Sequence, residues 1–299
     1  MGEYMRILFV FNAHAGKGLV KTNLAAIIDI MSAAGHEVTV YSTQAAGDAR
    51  QKILSFPEGK YDRVVCAGGD GTLDEVVSGI NERNEKLPIG YIPAGSTNDF
   101  AVSLGLPKNM KKAAEAAISN NLYNCDTGKF NDSTFVYIAA FGLFTEVSYE
   151  TPQDAKNFLG HSAYILEGMK RLQDIKSYVL TVEANGKTLE REFIYGMVTN
   201  SQSVGGFKNI TGKNVDLSDG LFEVTLIEKP ANPMELGETI NALMNRDVKA
   251  KGLKSFKTSK VTFTSKDPIP WTLDGEYGGT VNTAVVENLH HNLFFAVGD

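Results

Sequence analysis

"VVCAGGDGTLDEVVSGI", residues 64–80, decides how the chain is read. The apolar stretch "RVVCAG" (63–68) has the pattern of a strand covered on both faces. After it, Leu73, Val76, Val77 and Ile80 recur at i, i+3, i+4 and i+7, which is one face of a helix. Between the two, Gly68, Gly69 and Gly71 form a turn of the kind that offers backbone N–H groups to a phosphate. Asp70 stands among those glycines, and a bare carboxylate repels a phosphate. Either no phosphate binds here, or Asp70 has a metal ion, a hydroxyl or a lysine as partner. A purely local reading also exists: Thr72 and Glu75 have capping-box spacing, and the glycines would then supply only turn dihedrals.

The same alternation extends outward over the first 125 residues. "RILFVF" (6–11), "HEVTVYST" (36–43) and "PIGYIPAG" (88–95) read as further strands. Leu24, Ile27, Ile28 and Met31 mark a helix that Gly35 ends; residues 45–55 and two short segments between 97 and 119 also read as helical. Repeated βα units imply a parallel sheet with helices on both faces, whose ligands sit at the carboxyl ends of the strands. "NAHAGKG", "ST", "GGDGT" and "PAGSTND" all fall there.

From about residue 122 the pattern changes to strands. "STFVYIAAFG", "YVLTVEANGKTLEREFIYGMVTN", "LFEVTLIE", "KVTFTS" and "TAVVENLHHNLFFAV" follow one another, with helical patterns only at 163–175 and about 232–246. Asn185-Gly186 between two such runs is a strong hairpin signal. The expected fold class is α/β plus β: a Rossmann-like, NAD kinase-like parallel domain over 1–125, then a mainly antiparallel β-sandwich over 126–289. The last strand, about 290–299, is a candidate to return to the first domain.

Composition narrows the function classes. The chain has 299 residues, 43% hydrophobic and 21% charged, ordinary values for a globular protein. No apolar run approaches the roughly 18 residues of a membrane span, and "MGEYMRILFVFN" does not read as a signal peptide. Two distant cysteines, Cys66 and Cys125, suggest a reducing cytosol and no structural zinc. A net charge of −6 argues against a general nucleic-acid binder.

Chemistry concentrates in the loops. "NAHAGKG" is no Walker A loop, because Phe11 stands where its first glycine belongs and Gly18 replaces the magnesium-holding hydroxyl. In "PAGSTNDFA", Thr97 or Asn98 would serve as a helix cap with Asp99 in its first turn. Taken together, the loops offer hydroxyls at Thr43, Thr72, Ser96 and Thr97, an amide at Asn12 or Asn98, the amine of Lys17, and the acids Asp70 and Asp99. Phosphate donors beside carboxylates need a mediating divalent cation, which is the inventory of phosphoryl transfer. In the second domain "VDLSDGLF" (215–222) and "PWTLDGEYGG" (270–279) each set an acid in a glycine turn. Hairpin chemistry accounts for Asp-Gly in both, but not for Glu276. Two carboxylates one residue apart suit proton removal from an attacking hydroxyl and cation binding beside it.

Six blocks in order, "NAHAGKG" (12–18), "GGDGTLDEVVSGI" (68–80), "PAGSTNDFA" (93–101), "CDTGKFN" (125–131), "DLSDGLFEV" (216–224) and "LDGE" (273–276), span nearly the whole chain. In them the sequence resembles the diacylglycerol-kinase catalytic-domain family, bacterial soluble lipid kinases related to sphingosine and ceramide kinases. Ala13 and Ala15 stand where the family usually has proline and serine, Ser96 where it has threonine, and Lys213 and Val215 depart from its usual Pro-x-Ala.

The resemblance implies ATP in a cleft between the domains, contacted by Asn12, Gly16, Lys17, Gly68, Gly69, Asp70, Gly71 and Thr72, with Thr43, Ser96, Thr97 and Asn98 as further contacts. It implies an acidic network of Asp70, Asp99 and Asp126 around the nucleotide's Mg2+, and a second magnesium on Asp219 with main-chain oxygens of Asp216 and Leu221. Glu276 or Asp274 would take the proton from the lipid hydroxyl as it attacks the γ-phosphate. The implied partners are a diacylglycerol-like lipid presented at a membrane surface and a second copy of the chain as a homodimer. The implied location is cytoplasmic, with peripheral contact at the inner membrane face, for which "KNFLGHSAYILEGMKRLQDIKSY" (156–178) is a candidate surface or else a helix packed on its own domain. Two other readings stand beside this one: an NAD kinase-like enzyme with a soluble acceptor, sharing "GGDGT", and a non-catalytic nucleotide- or lipid-binding protein.

Overall fold

The structure, a computed structural model, describes residues 4–143, 145, 175–208, 211, 215–245 and 250–298. Almost all of the helical pattern at 163–175, and of the wider stretch 156–178, lies outside the described residues. The chain divides into two compact units, Met1–Asp126 with His290–Asp299, and Thr127–Leu289.

In the first unit, β1 (Arg6–Phe11) pairs in parallel with β2 (Glu37–Ser42) on one side and β3 (Arg63–Gly68) on the other. β3 pairs in parallel with β4 (Ile89–Pro93), and the end of the last strand, β15 (Glu276–Ala296), lies parallel to β4 with Phe295 opposite Ile89. The continuous apolar runs follow from burial on both faces: every residue of β3 and β4 is buried. Helix α1 (Ala15–Ala33) brings Ile27 and Met31, and α5 (Met110–Ala117) brings three alanines, onto a core with Phe9, Val65 and Ile92. Gly90 allows the Ala117 backbone to approach β4; a side chain there would strike it. Helix α2 (Asp48–Leu54) packs on α3 (Asp70–Glu82), where Gly79 faces Ile53. Between the fourth strand and α5 lies the short α4 (Asp99–Ser103).

The second unit is antiparallel. β7 (Ile138–Gly142) lies between β9 (Lys187–Thr199) and β14 (Lys260–Leu273), and β9 continues to β12 (Phe222–Glu228) and then β13 (Leu253–Thr258). β8 (Tyr178–Ala184) pairs with both β9 and β14, and β14 pairs with β15. Asn185 and Gly186 both have positive φ, 51° and 70°, which closes the β8–β9 hairpin in the twist the strands require. β10 (Ser203–Val204) and β11 (Phe207–Lys208) form a separate antiparallel pair, and helix α6 (Pro233–Asn245) covers the pattern read at 232–246. Trp271 is the largest fully buried side chain, ringed by Phe130, Phe141 and Phe263 at 5.1, 4.8 and 5.2 Å.

Two expectations about local structure change. "STFVYIAAFG" is not one strand but two, β6 (Ser133–Phe135), paired with β5 (Leu122–Phe130), and β7. Thr72 and Glu75 do not form a capping box. Gly69 is the N-cap of α3 with no side-chain cap, and both Glu75 oxygens instead accept the N–H groups of Gly47 and Ala49 at the start of α2. The carboxylate serves a neighbouring helix rather than its own, since two orphan N–H donors there have no intrahelical partner.

Candidate functional site

Three loops at the carboxyl ends of the parallel strands meet through glycine. Gly16 lies against the Ala94 carbonyl so closely that a Cβ would collide with it, and a Cβ on Gly95 would stand 2.8 Å from the Gly69 Cα. "NAHAGKG", "GGDGT" and "PAGSTND" are therefore joined by backbone contact, with Ala94 N–H donating to the Gly68 carbonyl at 2.7 Å. Gly16, Lys17 and Gly18 have φ of 61°, 57° and 83°, so the first loop makes a left-handed turn before regular helix begins at Leu19. For Lys17 this backbone costs about 1–2 kcal/mol, and its side chain is exposed. Asn12 accepts the His14 N–H at 2.9 Å on its side chain, and Thr43 donates its N–H to the Phe11 carbonyl at 2.9 Å, which ties the second strand's end to the same edge.

Asp70 Oδ2 accepts the Thr97 hydroxyl at 3.2 Å and the Asp99 N–H at 3.3 Å. Asp70, Thr97 and Asp99 thus come together, with Asp99 only 1% exposed. Asn98 closes its own turn, accepting the Gly95 N–H at 2.7 Å and donating back to the Gly95 carbonyl at 2.8 Å. Its φ of 51° sets it apart from an ordinary cap. Ser96 is exposed at the tip of this loop. Tyr91, absent from the sequence reading, is fully buried beneath, and its hydroxyl reaches the Gly68 carbonyl at 3.3 Å. Burial, helped by Asp70, Cys66 and Asp99, holds its phenol well above the ordinary range. Only its place in β4 beside "PAGSTND" could have marked it. Asp126 is fully buried and bonds to His290 and His291.

In the second unit the two carboxylates of "LDGE" differ. Asp274 and Gly275, with φ of 50° and 90°, form the β14–β15 turn. The Asp274 carboxylate is buried and accepts N–H groups from Val136, Tyr137 (2.9 Å) and Ile138 (3.0 Å). That carboxylate is the reason 133–142 is two strands: it takes the N–H groups a continuous ladder would use. Glu276 opens β15 with its side chain exposed.

Asp219 accepts the Leu221 N–H at 3.0 Å on Oδ1, while its Oδ2 takes the Lys257 ammonium at 2.9 Å; Asp216 accepts the Ser218 N–H and hydroxyl, each at 3.0 Å. Lys257 stands opposite Glu223 across β12 and β13 and pairs with it as well, at 2.9 Å. Burial lowers the lysine's affinity for its proton, but the two carboxylates outweigh this and hold it above its ordinary value. Burial pushes Glu223 up to about 7 against the pull of Lys257. An ionised carboxylate has about four acceptor sites, so Lys257 and the Leu221 N–H leave Asp219 with lone pairs for a cation beside the main-chain oxygens of Asp216 and Leu221. The Asp70 carboxylate and Thr97 hydroxyl are likewise hard oxygen donors of the type magnesium takes.

The chain matches the diacylglycerol kinase catalytic domain over residues 6–130 and the YegS C-terminal NAD kinase beta sandwich-like domain over 140–290. It is 36% identical to a diacylglycerol kinase of Staphylococcus carnosus, across 92% of this chain and 89% of that one. The chain belongs to the diacylglycerol kinase family. It shares 31% identity with the Bacillus subtilis diacylglycerol kinase, covering 96% of this chain and 94% of the relative. As a diacylglycerol kinase family member it is a phosphotransferase, built as a catalytic domain followed by a β-sandwich-like one. The fold is shared with two crystal structures from Bacillus anthracis strain Sterne. One has a TM-score of 0.84 at 23% identity, covering 100% of this chain and 97% of the other. The second, a diacylglycerol kinase, has a TM-score of 0.78 at 21% identity, covering 100% and 98%. Among the described residues no helix is long and apolar enough to cross a membrane.

Proposed function

We propose that this protein transfers the γ-phosphate of ATP to the hydroxyl of diacylglycerol or a similar lipid alcohol, giving phosphatidic acid from diacylglycerol. The meeting of three strand-end loops at Gly16, Gly69 and Gly95 carries the reading, together with the family. Loops pressed together through glycine backbones leave N–H groups free to face a polyphosphate, and Lys17 adds charge at their rim. In this reading the nucleotide lies on residues 12–18 and 68–74, with Thr43, Ser96, Thr97 and Asn98 beside it. Asp70 with Thr97 is the side that would hold magnesium, and Asp99 orients Asp70 through its N–H. Magnesium, when bound, neutralises the phosphate charge that builds up during transfer.

Glu276 is the proton acceptor in this mechanism. Its carboxylate is exposed at the start of a strand, whereas the Asp274 oxygens hold three backbone N–H groups. Asp274 positions Glu276 by fixing the turn that carries it. The enzyme works from the cytoplasm, as a peripheral visitor to the lipid surface. Incubation with γ-labelled ATP, Mg2+ and mixed micelles is expected to label a lipid that migrates as phosphatidic acid. Label in NAD and none in lipid would replace this reading with a soluble-acceptor kinase. ATP binding without label in either acceptor would leave a binding protein.

A further inference from the structure

We propose that Tyr91 is a positioning residue for phosphate binding: its buried hydroxyl fixes the Gly68–Gly69 peptide and so aims the Gly69 N–H at the nucleotide. This rests on the placement of the phosphates along residues 12–18 and 68–74. Tyr91 lies in β4 opposite Cys66 of β3 and has no exposed surface. Its hydroxyl donates to the Gly68 carbonyl at 3.3 Å, and the Ala94 N–H donates to the same oxygen at 2.7 Å. Any buried tyrosine needs a polar partner for its hydroxyl. Here the partner is a carbonyl that the backbone already satisfies, so the second donor adds hold on one peptide rather than filling a gap.

β3 runs between β1 and β4, and the Gly68 oxygen points toward β4. A trans peptide carries its C=O and N–H on opposite sides. The Gly69 N–H is thereby turned toward β1, whose end leads into the 12–18 loop. Asn12, the first residue of that loop, donates its N–H to the Ala67 carbonyl at 3.0 Å. Gly69 is held on its other side as well, since its carbonyl accepts the Thr72 and Leu73 N–H groups, each at 3.1 Å. Thr72 packs on Gly68 so closely that a Cβ there would stand 2.5 Å from its hydroxyl oxygen. A donor fixed in direction before the ligand arrives avoids an ordering cost on binding. Burial, with Asp70, Cys66 and Asp99 adding to it, keeps the phenol protonated, so it stays a donor throughout the neutral range.

Calorimetric titration of the full chain with ATP and Mg2+, beside steady-state kinetics on diacylglycerol micelles, tests this in Y91F and I92V. Phenylalanine keeps the volume, and Ala94 still satisfies the Gly68 carbonyl, so Y91F should fold and lose only a few degrees of Tm. Its Kd and KM for ATP should each rise at least ~5-fold, the scale of one hydrogen bond, with the KM for lipid unchanged. Ile92 is equally buried but packs with Phe9 and Val65 on the opposite face of the sheet. I92V should therefore lose a similar amount of Tm and keep the parent's Kd for ATP. An unchanged Kd in Y91F, or an equal rise in I92V, would overturn the assignment and leave the nucleotide reading intact. A parent chain that binds no ATP would overturn both.

Discussion

Asp274 accepts the backbone N–H of Tyr137 at 2.9 Å, with Val136 and Ile138 donating to the same carboxylate from either side. A turn residue thereby governs a strand break 137 positions earlier. Removing it strands three buried donors, each costing about 1–3 kcal/mol. D274A is expected to lose several degrees of Tm together with its activity. E276A, at an exposed position, should melt within a degree or two of the parent while kcat falls at least ~10²-fold. Comparable kcat losses in both variants at unchanged Tm would return Asp274 to the role of base.

Gly16 and Gly18 both have positive φ, but only Gly16 is pressed on a neighbouring loop. G18A should cost only the strain of a left-handed alanine, about 1–2 kcal/mol. G16A adds a collision with the Ala94 carbonyl and should raise the KM for ATP at least ~10-fold, corresponding to about 1.4 kcal/mol. Steady-state kinetics of the pair separates loop closure from backbone strain.

Glu75 links α3 to the start of α2. E75A should destabilise the chain by about 1–2 kcal/mol, as loss of a helix cap does. Hydrogen exchange at the Gly47 and Ala49 amides should rise with it. T72A should leave both amides protected, since Thr72 is not part of this bond network.

Glu223 sets a pH dependence. Its ordinary value of 4.5 is raised to about 7 by burial, so between these pH values the folded chain keeps a proton that the unfolded chain gives up. Stability contributed by this group therefore falls as pH rises from about 4.5 to 7 and stays low above that. E223Q, which never ionises, should gain Tm relative to the parent as the pH is raised from 5 to 8. A Tm difference that stays flat across that range would contradict the shift.

Much of this was legible because it is local. The parallel sheet of the first unit follows from apolar runs separated by helical periodicity, and Asn185-Gly186 and Asp274-Gly275 are tight turns because their residues tolerate positive φ. The three strand-end loops were legible as a group because βα repetition delivers every such loop to one edge. What was missed needed contacts between distant positions. Glu75 had the spacing of a cap for its own helix, and only packing of α2 on α3 showed the donors it meets. Lys257 carried no signal as a lone lysine until β12–β13 register set it opposite Glu223 and within reach of Asp219.

The sequence by itself determined the alternation of strands and helices, the tight turns and the order of the phosphate-type loops. Those features depend on dihedral preference and on apolar period over a few residues. The tertiary structure alone decided which partners each acid meets. Asp274 accepts backbone N–H groups, Asp219 pairs with an ammonium, and Asp126 bonds to His290. A carboxylate's chemistry depends on the charges and donors within about 3 Å of it, and folding brings those from 38 to 164 positions away.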